Sequence, residues 1–473
     1  MAWHKRGLVL GRSGPWSIFP KVRLKEAERS GHVYVVGKTG KGKSKFLQHC
    51  LFQDVVAGRG CAVIDPHADL IHDLLALLEA RGVLKDERQR ERLIYIDPAD
   101  HTSVVPFNVL ASKGEPYAIA QNVIEAFRRA WPDALANAPH FANVMLHSLL
   151  VLIRVRRTLV DLPQLLMNQT WRDVILDGIG DTDLSEFFHL RFDQWGRQAP
   201  LLRESTLNKV TALTMNPHVR RMLGHHENRL DFRSILDEGK VLLVNLGHCD
   251  EESQRLIGNL ITTGIEQAAF SRHDAPAAMR RPFYLYLDEF HDFSAGAISS
   301  RTLAKMLSGA RKFGLHLTLA HQSLSQLSAQ TRGAVLGNVW TKVIFGVSEE
   351  DAHEFARLIG LGNIDMSAIK HDAQTETQHP LYAPLPEQWH EWATTLANQK
   401  PRQAVLRDHR GRTRLLWTIP IRKGQGSPTY LVRERPAFAR GHMVRYSENA
   451  TMEPPVQLDA QKDTWPLYDD VGA

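Results

Sequence analysis

Cysteine is scarce in this 473-residue chain, with Cys50, Cys61 and Cys249 its three examples. They are far apart, odd in number and without CxxC spacing, which excludes a disulfide framework and a cysteine-based zinc site and fits a reducing cytosol. Long apolar runs are lacking too. The richest, Val144 to Ile153, is broken by His147 and followed by Arg154, Arg156 and Arg157, short of the roughly 18 consecutive apolar residues that span a bilayer. The N-terminal residues reach Gly11, Gly14 and Pro15 without the apolar stretch and cleavage site of a secretory signal. The expectation is a soluble, cytoplasmic protein that meets a membrane only peripherally, through partners. No internal repeat or low-complexity tract stands out. A net charge of +6 with 23% charged residues lacks the Lys and Arg excess of a histone-like binder. Nucleic acid is permitted by that balance, not required by it.

What the chain does have is apolar content, 43% of its residues, enough to fill two or three globular cores. Val33 to Val36, Cys61 to Ile64 and Leu93 to Ile96 are short apolar runs closed by Gly or Asp-Pro, the pattern of buried parallel strands. Between them, Lys45 to Val56 and Ala68 to Arg81 carry apolar residues at helical spacing and end at Gly58 and Gly82. The order predicts β-α-β-α-β. From Asn108 to about Asp231 the strand signal disappears and the chain reads helical, with Trp131, Phe141, Leu149, Trp171, Phe187 and Trp195 as bulk for a separate core. Strands resume at Val241 to Asn245, Phe283 to Leu287, Leu315 to Ala320 and Lys342 to Val347. The expected organisation is an α/β core in 31–111 and 231–380, an inserted all-helical domain in 112–230, an N-terminal segment 1–30, a basic segment 381–446 and an acidic tail 447–473. In Pro401 to Arg445 eleven Arg or Lys stand against Asp408 and Glu434, beside Trp417, Tyr430 and Phe438. That mixture suits phosphate contacts and base stacking, and equally a solvated strand or an interface.

The strongest motif is Gly37-Lys38-Thr39-Gly40-Lys41-Gly42-Lys43-Ser44, between a predicted strand and a predicted helix. Its glycines let the backbone wrap so that N–H groups face nucleotide phosphates, and the helix adds its positive end. Lys43 would reach the β- and γ-phosphates of ATP, and the Ser44 hydroxyl would coordinate Mg²⁺. A second element is needed to hold the metal and orient water. Phe283 to Leu287 followed by Asp288-Glu289 supplies it: Asp288 for Mg²⁺, Glu289 to polarise the attacking water.

Asp65, at the end of another predicted strand, is expected near the phosphates. His67, His225-His226 and His291 suggest a metal, but their settings read more simply as caps and loop contacts, so no transition metal is assigned. Gln322, just past a strand end, can hydrogen-bond water or the γ-phosphate and report its loss, or cap a loop. Arg311 and Arg332 are candidates for an arginine offered to the neighbouring subunit's γ-phosphate.

The sequence resembles the HerA/FtsK superfamily and, within it, the soluble DNA-binding ATPase domain of type IV secretion coupling proteins. The resemblance covers Arg29 to Phe355. It rests on His32 to Gly40, Val63 to Leu70, Tyr95 to Asp100 with Phe107-Asn108, Gly239 to Leu246, Arg281 to Phe290, and Ala310 to Gly314 through His321-Gln322. It implies a RecA-like P-loop core with a central, mostly parallel sheet and an all-helical insert, in a bacterial cytosol. It also implies a homo-oligomer, commonly a hexameric ring that passes DNA through its channel at the expense of ATP and works with secretion or DNA-processing proteins. Lys43 and Ser44 would hold phosphate and Mg²⁺, Asp288 and Glu289 metal and water, and Gln322 would sense the nucleotide. The sequence departs from the family at Lys41 and Lys45, where small hydroxyl residues are usual, and at Ala68, where glycine is common. Both lysines are expected to add positive charge beside the phosphates. The family's membrane-spanning segment is not seen.

Two other classes fit a P-loop. A nucleotide-controlled switch or adaptor would assemble a protein complex, hydrolyse slowly and ignore DNA. A small-molecule kinase is disfavoured because no acceptor pocket is suggested.

Overall fold

The computed structural model describes residues 7–100, 103–135, 138–195, 199–293, 296–360, 384–421 and 444–445. The strands, in chain order, are β1 (Leu8–Arg12), β2 (Lys21–Leu24), β3 (Val33–Val36), β4 (Gly60–Asp65), β5 (Leu93–Ile96), β6 (Ser103–Val104), β7 (Val241–Asn245), β8 (Phe283–Leu287), β9 (Leu315–His321), β10 (Thr341–Ile344), β11 (Gln403–Arg407), β12 (Thr413–Trp417) and β13 (Val444–Arg445). Eleven of them form one sheet in the order β2-β1-β12-β11-β10-β3-β9-β8-β4-β7-β5.

From β10 to β5 every neighbouring pair is parallel. These strands are covered on both faces, so their sequences are continuous apolar runs such as Val33-Tyr34-Val35-Val36 and Phe283-Tyr284-Leu285-Tyr286-Leu287, buried along their whole length. The expected α/β class with a mostly parallel sheet is what the chain adopts. The sheet continues past β10 through antiparallel pairings of β11, β12, β1 and β2. Periodicity did not single out these four strands. Their sequences mix polar with apolar residues: Thr413-Arg414-Leu415-Leu416-Trp417 buries only Leu416 fully.

Register places the ends of the parallel strands at one height. Val36 sits opposite His321 and opposite Ile344, Leu287 opposite Leu319, and Ile64 opposite Leu287. The loops after β3, β9, β8 and β4, neighbours in the sheet, therefore meet at a common edge, where open α/β sheets place their ligands.

Two compact units divide the chain: one of residues 1–97, 125–136 and 231–441, the other of 98–124, 137–230 and 442–473. The first contains the eleven-stranded sheet. Within it a buried ion pair joins Arg29 to Asp54, which lies on the helix Lys43–Val56. Tyr286 of β8 donates its hydroxyl to Asp54 Oδ2 at 2.6 Å, and the Arg29 guanidinium lies 3.4 Å from the Tyr284 ring centroid. Alone, burial would lower the Arg29 pKa; Asp54 and the two tyrosines more than offset it and leave the group held charged.

The second unit is mainly helical, with β6 and β13 as its antiparallel pair. Its helices include Pro139–Arg154, Leu162–Met167, Gln169–Ile179 and Pro217–Leu223. Val144, Leu149, Leu162, Phe188, Phe192 and Val219 are among its fully buried side chains. The His147 ring stacks on Phe187 at 3.7 Å between centroids. Tyr430, Phe438 and the acidic tail fall outside the described residues.

Candidate active site

The loop after β3 folds as its glycines require. Gly37, Gly40 and Gly42 have φ of 156°, 77° and 108°, where a side chain is strained, and a Cβ on Gly37 would lie 2.5 Å from that of Phe345. No atom lies within 4 Å of a Cβ built on Gly40, so the loop opens to solvent there. Among the described residues, none accepts from the amides of Thr39, Gly40 or Gly42. The helix Lys43–Val56 starts at Gly42 and adds the unpaired first-turn amides of its own N-terminus. The result is a concave set of donors suited to a polyphosphate.

Lys43 is buried and its Nζ donates to Gly37 O at 2.5 Å, while Ser44 is exposed at the helix start. Burial pulls the Lys43 ammonium below the usual lysine range, against the opposing pull of Glu289 and Asp288. Lys38 is exposed, with its amide on Gly346 O at 2.8 Å.

The two unusual lysines point elsewhere. Lys45 pairs with Asp73 of the helix Asp69–Ala80 and donates to Gln48 Oε1 at 3.1 Å. Lys41 donates to Gln399 O at 2.8 Å, and its own carbonyl accepts from Arg402 N at 2.9 Å. The entry to β11 is thus tied to the phosphate loop.

Asp288 and Glu289 follow β8, both buried. Burial pushes the Asp288 carboxyl up to about 6, with Glu289 and Asp65 adding to the rise and Lys43 opposing it. A buried acid with two acidic neighbours and one lysine is a donor set that a divalent cation would relieve. Ser44, Asp288 and the loop fit Mg²⁺ and a nucleotide triphosphate. Glu289 has φ of 46°, an uncommon conformation for a residue with a side chain. Its Oε2 is buried with no hydrogen bond, and its Oε1 accepts from Gln322 Nε2 at 3.0 Å. Thr39 Oγ1 donates to Gln322 Oε1 at 3.0 Å. One amide, just past β9, therefore joins the phosphate loop to the Glu289 carboxylate, a bridge across 283 residues of chain.

Asp65 is brought to the same edge but with its oxygens engaged: Oδ1 accepts from His67 N at 2.9 Å and Oδ2 from Ile71 N at 3.0 Å. Burial raises its pKa and these amides oppose the rise. Its evident work is to hold the turn into Asp69–Ala80. Ala68, at the cap of that helix, has φ of 69°, which accounts for glycine being common there. Arg311 lies at the opposite end of the strands, before β9, exposed and with its guanidinium 4.2 Å from the Trp340 ring centroid. Arg332 is engaged with Glu354 at 3.0 Å. Neither meets the phosphate loop of its own chain. Among the described residues no cluster of His, Cys, Asp and Glu could hold a metal by itself, and no helix is long and apolar enough to cross a membrane.

The model of the type IV secretion-system coupling protein DNA-binding domain matches residues 17–378. The chain belongs to this family. Solved structures agree on the fold of a coupling protein. The bacterial conjugative coupling protein TrwBdeltaN70, in its unbound monoclinic form, superposes with a TM-score of 0.62 at 17% identity over 90% of this chain and 91% of that one. The plasmid coupling protein TrwB in complex with ADP and Mg²⁺ gives the same score, identity and coverage. VirB4 of Thermoanaerobacter pseudethanolicus follows with a TM-score of 0.55 at 12% identity, over 88% of this chain and 97% of that one. No curated protein matches.

Proposed function

We propose that this coupling-family chain is an ATP-hydrolysing, Mg²⁺-dependent DNA translocase that works as a homo-oligomeric ring, a hexamer, and moves DNA without reading its sequence. The observation that carries the proposal is the meeting at one sheet edge of Lys43, the buried Asp288-Glu289 pair and the Gln322 amide that touches both loops. The structural likeness to TrwB in complex with ADP and Mg²⁺ supports binding of a magnesium nucleotide by this chain.

In this reading the amides after Gly37 and the Lys43 ammonium bind the phosphates, and Ser44 with Asp288 holds Mg²⁺. Bound there, the ion would neutralise charge developing on the β- and γ-oxygens. Glu289 accepts a proton from the attacking water, and its burial keeps that carboxylate out of competition with solvent. Gln322 registers the state of the phosphate loop through Thr39 and passes it to Glu289. Arg311, exposed and far from its own loop, is offered to a neighbouring subunit. Lys38, Gly40 and the outer loop form the rim of the cradle, and Asp65 sets its floor. The helical segment 112–230 is read as the inserted domain of the motor, and DNA-processing or secretion proteins as its partners.

Steady-state ATPase rates with and without double- and single-stranded DNA, at two salt concentrations, test the proposal. Stimulation by DNA that fades as salt rises is expected, because phosphate contacts release counterions. Equal rates under all conditions would remove translocation as the function.

A further inference from the structure

Glu289 has a second neighbour. Its Oε2 lies 3.4 Å from Nδ1 of His291, two residues on in the turn after β8. Whether that approach is attractive depends on which ring nitrogen carries the hydrogen, and Gln326 decides it. Its Oε1 accepts from Gln322 N at 3.1 Å and from Ser323 N at 3.0 Å. A backbone N–H can only donate, so the amide orientation is fixed and Gln326 turns its NH₂ group outward. That nitrogen is 3.2 Å from His291 Nε2. An amide NH₂ has no lone pair to offer, so His291 Nε2 must be the acceptor and carries no hydrogen. The neutral ring then holds its hydrogen on Nδ1, the nitrogen nearest Glu289, without closing a hydrogen bond to it.

We propose that His291 is a positioning residue for Glu289, set in its working tautomer by Gln326. Gln322 holds one carboxylate oxygen and His291 faces the other, while Gln326 braces both, since it binds the Gln322 amide and the His291 ring. At 3.4 Å and with no hydrogen bond closed between the two atoms, the ring presents a dipole to the carboxylate and leaves Oε2 the lone pair a base needs. Such support is called for, because Glu289 sits at a φ of 46° that its surroundings must impose.

The inference rests on Glu289 being the base of the proposed reaction. The test uses the full chain, with steady-state ATPase kinetics and binding of a fluorescent ATP analogue for His291→Phe, His291→Asn, Gln326→Leu and Glu289→Gln. His291→Phe keeps the ring volume but loses the donor, and kcat is expected to fall about 10–100-fold with KM within about twofold, the scale of a misplaced catalytic group. Asparagine puts an amide NH₂ near the place of Nδ1, so His291→Asn should retain kcat within about threefold. Gln326→Leu, on an exposed side chain, should slow kcat in the same sense, and the double variant His291→Phe/Gln326→Leu should lose less than the product of the two single losses, because the two share the His291 contact while Gln326 also braces Gln322. A native kcat for His291→Phe, or equal loss in the Phe and Asn variants, overturns the inference. If Glu289→Gln is inactive while His291→Phe is native, the inference alone fails. If Glu289→Gln turns over at the native rate, the base assignment fails and takes the inference with it.

Discussion

Replacing Asp54 by alanine probes the link between the helix that starts at Lys43 and the strand that leads into Asp288. Asp54 is fully buried and accepts from Arg29 Nη1 at 2.7 Å, from Tyr286 at 2.6 Å and from Arg59 Nη1 at 3.3 Å. Arg29 is 2% exposed, so Asp54→Ala strands a guanidinium away from water. Removing one partner of such a pair costs about 3–5 kcal/mol. For a chain of this size that lowers the thermal midpoint by roughly 1 °C per kcal/mol, or about 4 °C in all. The charge, not the shape, sets the loss, so Arg29→Met/Asp54→Leu should recover most of it. Thermal unfolding followed by circular dichroism measures both. ATPase activity of Asp54→Ala should also fall at temperatures where it is still folded, because Asp54 ties the helix that begins at Lys43 to the strand that ends before Asp288. A midpoint for Asp54→Ala within about 1 °C of native, on the scale where about 1 °C is one kcal/mol, would refute the reasoning. So would a double variant as unstable as the single one.

Asp288→Asn should abolish hydrolysis and, without Mg²⁺, stabilise the fold. The folded carboxyl is pushed up to about 6 from an ordinary 3.8, so the penalty is absent below pH 4, grows through the window between these values and is complete above it. The gain should approach about 3 kcal/mol at pH 8 and vanish near pH 4; a pH-independent difference in melting between variant and native would contradict the assignment. Ala68→Gly should add about 1 kcal/mol, since alanine holds a φ of 69° there, and an unchanged denaturation midpoint would show that this strain is relieved elsewhere.

The parallel strands were legible because strands covered on both faces must be apolar throughout, and β3, β5, β7 and β8 have the bounds their sequences suggest. The phosphate loop, Asp288 and Glu289 were legible because each follows such a strand. Strands β11 and β12 were not, since Arg407, Arg412 and Arg414 disguise an edge-side pairing as a basic run. The partners of long side chains were also out of reach. Lys45 finds Asp73 across 28 residues and Lys41 finds Gln399 across 358, so local charge counting overstates the cation at the phosphates. Gln326 and His291 carry no motif. A capping box at Ser323-Gln326 was the available sign that this glutamine faces inward to the turn.

The place of β3 between β9 and β10 also sets a timetable for the chain as it is made. The strand that ends in the phosphate loop leaves the ribosome early, but its first hydrogen-bonding neighbour begins at Leu315, on the order of 15–60 s later at ordinary elongation rates. Until then the loop has no sheet to hold it. An interrupted translation product would therefore carry the phosphate-loop motif without the two strands that flank it in the sheet.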